Sequence, residues 1–292
     1  MKALLKRLLR TLLAETFQTF RQDLTTDFSQ LRHMINNQAV QVLLTQHYQA
    51  LKQAGTRMPE FATTGFRVYS QNEEDGYLLY IFALIGMETR RAVEICAGDG
   101  IECNSANLIV NHKWTGLLVD GNPANIERGR RFYATCPDTL VYPPTLVQAW
   151  VTAEAVNDLI TQHGFAGDID LLSLDLDGVD YWIWRAITCV NPRVVVVEFN
   201  NLWGADQAVT IPYDPHFVAE FSPEGPDYCG ASLPAFVKLG REKGYRLVGC
   251  NLYGFNAFFV RNDLGQDVLP EIDPARCFAH PQAQYAIQHR RS

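Results

Sequence analysis

Five short runs, Ala92–Cys96, Gly116–Asp120, Leu146–Val151, Leu171–Asp175 and Val194–Phe199, are continuously apolar and alternate with helix-like stretches. No other feature constrains the fold of this chain as strongly. A strand apolar on both sides must be covered on both faces, which predicts a parallel sheet between layers of helix. The intervening stretches, Ser105–His112, Pro123–Tyr133, Ala153–His163 and Tyr181–Cys189, supply the helices. After the fifth run the pattern breaks into an irregular stretch, Asn200–Gly230, followed by a helical stretch, Leu233–Lys243, and two β-runs, Tyr245–Asn251 and Ala257–Arg261. Their link, Leu252–Asn256, is too short for a crossover, so the two runs must pair antiparallel. The expectation is a doubly wound α/β sheet ending in an antiparallel hairpin.

A 292-residue chain that is 47% hydrophobic has material for a full core. Its net charge of −7 argues against a broad nucleic-acid footprint. Seven cysteines without a C-x-x-C spacing indicate neither a disulfide framework nor a zinc knuckle, and a reducing cytoplasm fits them best. Residues 1–54 contain no Pro or Gly and repeat Leu5, Leu9, Leu12, Phe17, Phe20, Leu24, Phe28, Leu31 and Ile35 at helical spacing until Gly55. This pattern predicts helices that cover the core, an arm that joins copies into a homo-oligomer, or a membrane contact at the cytoplasmic face. The membrane contact would use residues 1–14, whose Lys2, Lys6, Arg7 and Arg10 have no acidic counterpart. The implied division is a helical extension over 1–60, a catalytic domain over 61–270 and a tail over 271–292.

The turn Ala97-Gly98-Asp99-Gly100 follows the first run and leads into a helix, a geometry that lets backbone N–H groups approach a ligand. A dinucleotide fingerprint would want a third glycine where Cys103 stands, which weakens an NAD-dependent oxidoreductase reading. The second run ends in Asp120, twenty-two residues after Gly98, where a carboxylate can accept ribose hydroxyls. Asn122 before Pro123 reads as a helix cap.

Six segments together resemble the FkbM-like S-adenosylmethionine-dependent methyltransferases: YSQNEEDG at 69–76, AGDGIECNS at 97–105, TGLLVDGNP at 115–123, IDLLSLDLDGVDYWIW at 169–184, VVVVEFN at 194–200 and the stretch 229–264. The resemblance spans roughly residues 67–264, and the expected strand plan, a Rossmann-like sheet with a terminal antiparallel hairpin, is similar to that of class I methyltransferases. It implies that Glu94, Ala97, Gly98, Asp99, Gly100 and Asn104 surround the methionine and ribose end of S-adenosylmethionine. It also implies that Asp120 and Asn122 take the ribose, and that Gln71, Glu74 and Asp75 approach from a preceding helix start. Cys96 and Cys103 depart from the small or polar residues expected in that turn.

The fourth run leads into Asp175-Leu176-Asp177 and the fifth into Glu198-Phe199-Asn200. Alternation puts Asp175 with Asp177, and Glu198 with Asn200, so hard oxygen ligands for Mg²⁺ or another divalent cation can converge there. The alternative is that Asp177-Gly178 is only a turn and Glu198 a cofactor anchor. Asp175 is the first candidate for acceptor-side chemistry and His216 the second base. Tyr213, Tyr228, Trp203 and Phe217 give the loop after the fifth run an aromatic content suited to an acceptor lid, with Tyr213, His216 and Tyr228 as substrate contacts. The resemblance thus implies an O-methyltransferase acting on a sugar hydroxyl of a glycan or glycosylated natural product. The rivals are an NAD-dependent oxidoreductase and a non-catalytic scaffold of the same fold.

Overall fold

The computed structural model describes residues 38–220 and 228–289. The basic, Leu-rich start and most of the expected arm therefore lie outside the described residues. The chain divides into two compact units, 1–43 and 44–292, and the sheet belongs wholly to the second.

Seven strands form one sheet: β1 (Arg91–Ile95), β2 (Thr115–Asp120), β3 (Thr145–Gln148), β4 (Gly167–Leu174), β5 (Val190–Glu198), β6 (Tyr245–Cys250) and β7 (Asn256–Arg261). Their order is β3-β2-β1-β4-β5-β7-β6, with β1 to β5 parallel. Strand β7 inserts antiparallel between β5 and β6. This is the class I methyltransferase plan expected from the alternation and the short hairpin link.

The helices are α1 (Gln38–Gln53), α2 (Glu74–Ile85), α3 (Ala106–His112), α4 (Pro123–Thr135), α5 (Val156–Gln162), α6 (Asp180–Ala186), α7 (Leu233–Glu242) and α8 (Pro281–His289). Strand alternation assigns two cores. Leu172, Leu174, Val195 and Val197 face one, with Trp184 of α6 and Phe236 of α7. Leu171, Val194, Val196 and Phe258 face the other, with α2. Helix α2 is apolar all round and nearly every residue in it is buried, as a helix enclosed by its own domain should be.

Several boundaries differ from the expected ones for local reasons. Cys96 has φ +60° and so ends β1 one residue early. Strand β3 stops at Gln148, leaving Ala149 and Trp150 beyond the sheet. The segment 44–60 belongs to the same compact unit as the sheet, where Tyr48 packs edge-on against Tyr80 and Lys52 donates to the Leu84 carbonyl. Within the expected tail, Cys277, Phe278 and Ala283 are buried in the first core. Among the described residues no helix is long and apolar enough to cross a membrane.

One glycine fixes the geometry of the later site. A Cβ on Gly129 of α4 would collide with the carbonyl oxygen of Asp99 and with Leu146. Because one obstacle is backbone, the helix would have to move. Gly129→Ala is expected to lower unfolding free energy by about 1–3 kcal/mol, the usual range for overpacking, and urea denaturation would measure the loss.

Candidate active site

Every group of interest lies at the carboxyl edge of the parallel strands, where open α/β sheets bind ligands. The turn after β1 is held from beneath by Glu94, only 2% exposed. Its carboxylate accepts from the N–H groups of Asn104 (2.9 Å) and Ser105 (2.8 Å) and from the Ser173 hydroxyl (3.3 Å). The Asn104 amide in turn donates to Ser173 at 3.0 Å. Glu94 and Asn104 therefore brace the loop from Ala97 to Ser105. Tyr133 of α4 adds a hydrogen bond to the Gly100 carbonyl. Above the turn the space is open: Gly98 has φ +58°, and nothing lies within 4 Å of where a Cβ would stand.

Asp120 closes the other side of this opening. Its Oδ2 accepts from Gly98 N–H at 3.1 Å, while Oδ1 accepts from Asn122 N–H (2.8 Å) and the Asn125 amide (3.1 Å). A carboxylate has about four acceptor positions, so one remains on Oδ2 beside the glycine cradle. That combination fits a ribose hydroxyl. Asn122 is the cap of α4, accepting from Ala124 N–H, as its place before Pro123 predicts. Asp99 is engaged locally, accepting from Ile101 N–H and Arg128.

At the start of α2, Glu74 is fully buried and accepts from Asn251 (2.8 Å), Asn256 (3.1 Å) and the Asn72 N–H (2.9 Å). It ties α2 to the β6–β7 hairpin. Asp75 Oδ2 accepts from the N–H groups of Val68, Tyr69 and Ser70 and from the Ser70 hydroxyl, shaping the loop that carries exposed Gln71. Burial nevertheless outweighs these donors and raises the Asp75 carboxyl to about 6 from its ordinary 3.8. The folded chain thus holds this proton more tightly than the unfolded chain does, so stability falls as pH rises from 4 through 6. The difference amounts to about 3 kcal/mol. Asp75→Asn, which keeps an acceptor and no ionisation, is expected to lessen the fall of urea-derived stability across that window by Asp75's share, while Asp180, raised to about 6 by its own burial, keeps its part.

A second cluster stands beyond β4 and β5. One carboxylate oxygen each from Asp175, Asp177 and Glu198 lies within 4.8 Å of the others. The reason is not strand alternation alone, because Asp177 sits in a turn with φ +55°. Buried Asp180 imposes that turn: its two oxygens accept from Leu176 N–H (2.7 Å) and Gly178 N–H (3.0 Å). Burial raises all three carboxyls, and repulsion from neighbouring acids adds to the rise at Asp175, which reaches about 7, and at Glu198, which stands well above its ordinary value. Asp175 and Glu198 share a hydrogen bond, so a proton or a cation is needed between them. The cluster borders a cavity of about 160 Å³ lined also by Phe199, Cys229 and Phe255.

Asn200, expected as a fourth ligand, lines the same cavity. Its oxygen accepts from Leu202 N–H at 3.0 Å to cap a short turn, and its amide donates to the Cys229 carbonyl. His216 is exposed and not in the cluster. From Ile211 to Val218 burial alternates strictly, with odd residues facing in, so Phe217 rather than His216 meets the site. A Cβ on Gly178 would lie 2.5 Å from the Phe217 ring. Tyr213 faces inward, accepting from Ala153 N–H and donating to Glu154, and half-exposed Tyr228 packs on Phe217 at 5.8 Å.

Two residues of this region, Asp180 and Trp150, escaped sequence reasoning. Asp180 could have been found from the D-x-D-x-x-D spacing. Phe217 was read as part of the aromatic lid, but its inward face needed the parity of an irregular loop. Trp150, 58% exposed beside Gly121, had no sequence signal.

No protein-family model matches the chain, and a search of curated proteins finds no match. Among solved structures it is similar to a magnesium protoporphyrin IX methyltransferase from Synechocystis PCC 6803 with bound S-adenosylmethionine, at 12% identity, covering 64% of this chain and 77% of that one (TM-score 0.39). It is similar to an S-adenosylmethionine-dependent methyltransferase from Clostridium acetobutylicum at 12% identity, covering 60% and 85% (TM-score 0.38). A glycopeptide N-methyltransferase bound to S-adenosylhomocysteine shares 11% identity over 59% and 82% (TM-score 0.36).

Proposed function

We propose that this chain is an S-adenosylmethionine-dependent O-methyltransferase of the FkbM-like kind, acting on a sugar hydroxyl of a glycan or glycosylated natural product. The observation that supports it most is the pairing, along one sheet edge, of a glycine cradle closed by Asp120 with a three-carboxyl cluster on the far side of β4. Cofactor, when bound, supplies an electrophilic methyl group on a sulfonium. The Gly98 backbone and Asp120 would orient its ribose. Asp175 would accept the acceptor hydroxyl's proton, and its neighbours Asp177 and Glu198 keep that oxygen acceptor within reach. The same three residues would hold a divalent cation, whose chemistry there would be to lower the hydroxyl's pKa. Phe255, Phe217 and Tyr228 offer apolar faces of the size of a sugar ring.

Calorimetry with S-adenosylhomocysteine, followed by transfer of labelled methyl from S-adenosylmethionine to a panel of glycosides, tests the reading. Binding of NADH in place of S-adenosylhomocysteine would overturn it in favour of an oxidoreductase.

A further inference from the structure

The segment 211–217 runs across the carboxyl edge of the sheet and is fastened at points far apart in sequence. The Trp182 indole N–H donates to the Ile211 carbonyl at 2.9 Å. Tyr213 is pinned by Ala153 and Glu154. The Trp150 indole N–H donates to the Pro215 carbonyl at 2.7 Å. The Phe217 ring then seats on Gly178, next to Asp177.

These anchors belong to different strands. Trp150 follows β3 and lies against Gly121, the residue after Asp120: a Cβ on Gly121 would be 3.5 Å from the indole. Gly178 follows β4. In the sheet order, β2 and β1 lie between β3 and β4. A chain fastened at the tips of β3 and β4 therefore bridges the tips of β2 and β1, which carry Asp120 and the glycine turn.

We infer that Trp150 is a positioning residue for cofactor retention: its hydrogen bond to Pro215 holds the 211–217 strap across the nucleoside end of the cleft, with Phe217 on Gly178 as the second fastening. This rests on the methyltransferase reading above. The strap spans from the ribose corner to the carboxyl cluster, so ligand release at one requires unfastening at the other. His216 then faces solvent as a consequence of the strap's parity.

The test is the dissociation rate of radiolabelled S-adenosylhomocysteine chased with unlabelled ligand. Trp150→Phe keeps a ring and removes the donor. Gly178→Ala has no backbone obstacle, since Gly178 is not among the positive-φ glycines, and dislodges only the Phe217 ring. Loss of one hydrogen bond is expected to speed release roughly three- to tenfold, with the melting temperature of Trp150→Phe unchanged because the indole is exposed. Faster release in both variants supports the strap. Faster release in Trp150→Phe alone assigns the effect to the indole's own contact and overturns it, as does a rate within twofold of wild type in Trp150→Phe. Absence of wild-type binding overturns the methyltransferase reading and this inference together, whereas binding with unchanged rates overturns this inference alone.

Discussion

Asp120→Ala is expected to weaken S-adenosylhomocysteine binding by about 100-fold or more. The carboxylate accepts from Gly98, Asn122 and Asn125 and keeps one acceptor position at the mouth of the cradle. Hydrogen bonds to a charged group contribute about 1.5–3 kcal/mol each. Loss of the ribose contact, together with the looser hold on Gly98 N–H, therefore amounts to roughly 3 kcal/mol, or two decades in Kd. Asp120→Asn should fall between, because an amide retains one acceptor. Calorimetry on both variants separates the cases, and an alanine variant within threefold of wild type would remove Asp120 from the cofactor site. Near-native melting of the variant would show that the sheet is intact.

The second large effect concerns the carboxyl cluster, whose destabilising repulsion should be reversible. At pH 8, saturating Mg²⁺ or Mn²⁺ is expected to raise the melting temperature of the wild-type chain. A ligand at 100 times its Kd stabilises by about 2.7 kcal/mol, which for a domain of this size corresponds to roughly 5–10 °C. Glu198→Gln should melt higher than wild type without cation, because it removes one of three crowded charges, and should no longer respond to the ion. The variant's gain without cation, together with its loss of response to the ion, distinguishes a cation site from general salt stabilisation. Equal responses of wild type and variant, or none in either, would falsify the cation assignment and leave Asp175 as a proton acceptor only.

Much of the architecture was legible from the chain because its signals are local. Continuous apolar runs can only be doubly covered strands, and the five-residue link before β7 admits only a hairpin. Gly98 and Asp120 were legible for the same reason: each ends a recognisable strand, and strand ends are where such a sheet presents its groups. Glu94 and Asn104 were found as members of the same corner, but their duty there depends on hydrogen bonds across ten residues and across to Ser173 on β4, which no spacing reveals.

The carboxyl cluster divides in the same way. Asp175 and Glu198 follow from the ends of neighbouring strands, whereas Asp177 joins them because buried Asp180 holds the intervening turn in a left-handed conformation. Asn200 lies two residues beyond Glu198, but a short turn begins there and its oxygen serves as the cap, which strand alternation does not foresee. For His216 and Phe217 the difference is a single residue of parity in an extended loop, decided by Trp150, Tyr213 and Gly178 from elsewhere in the chain.

The amino-acid sequence by itself determined the strands, their parallel layering, the closing hairpin and the edge at which chemistry would gather, because burial periodicity and chain length act within a few residues. Only the tertiary structure decided which side chains at that edge are free to meet a ligand. That outcome depends on competition among distant hydrogen-bond donors for the same carboxylates, and on which face of an irregular loop is turned inward.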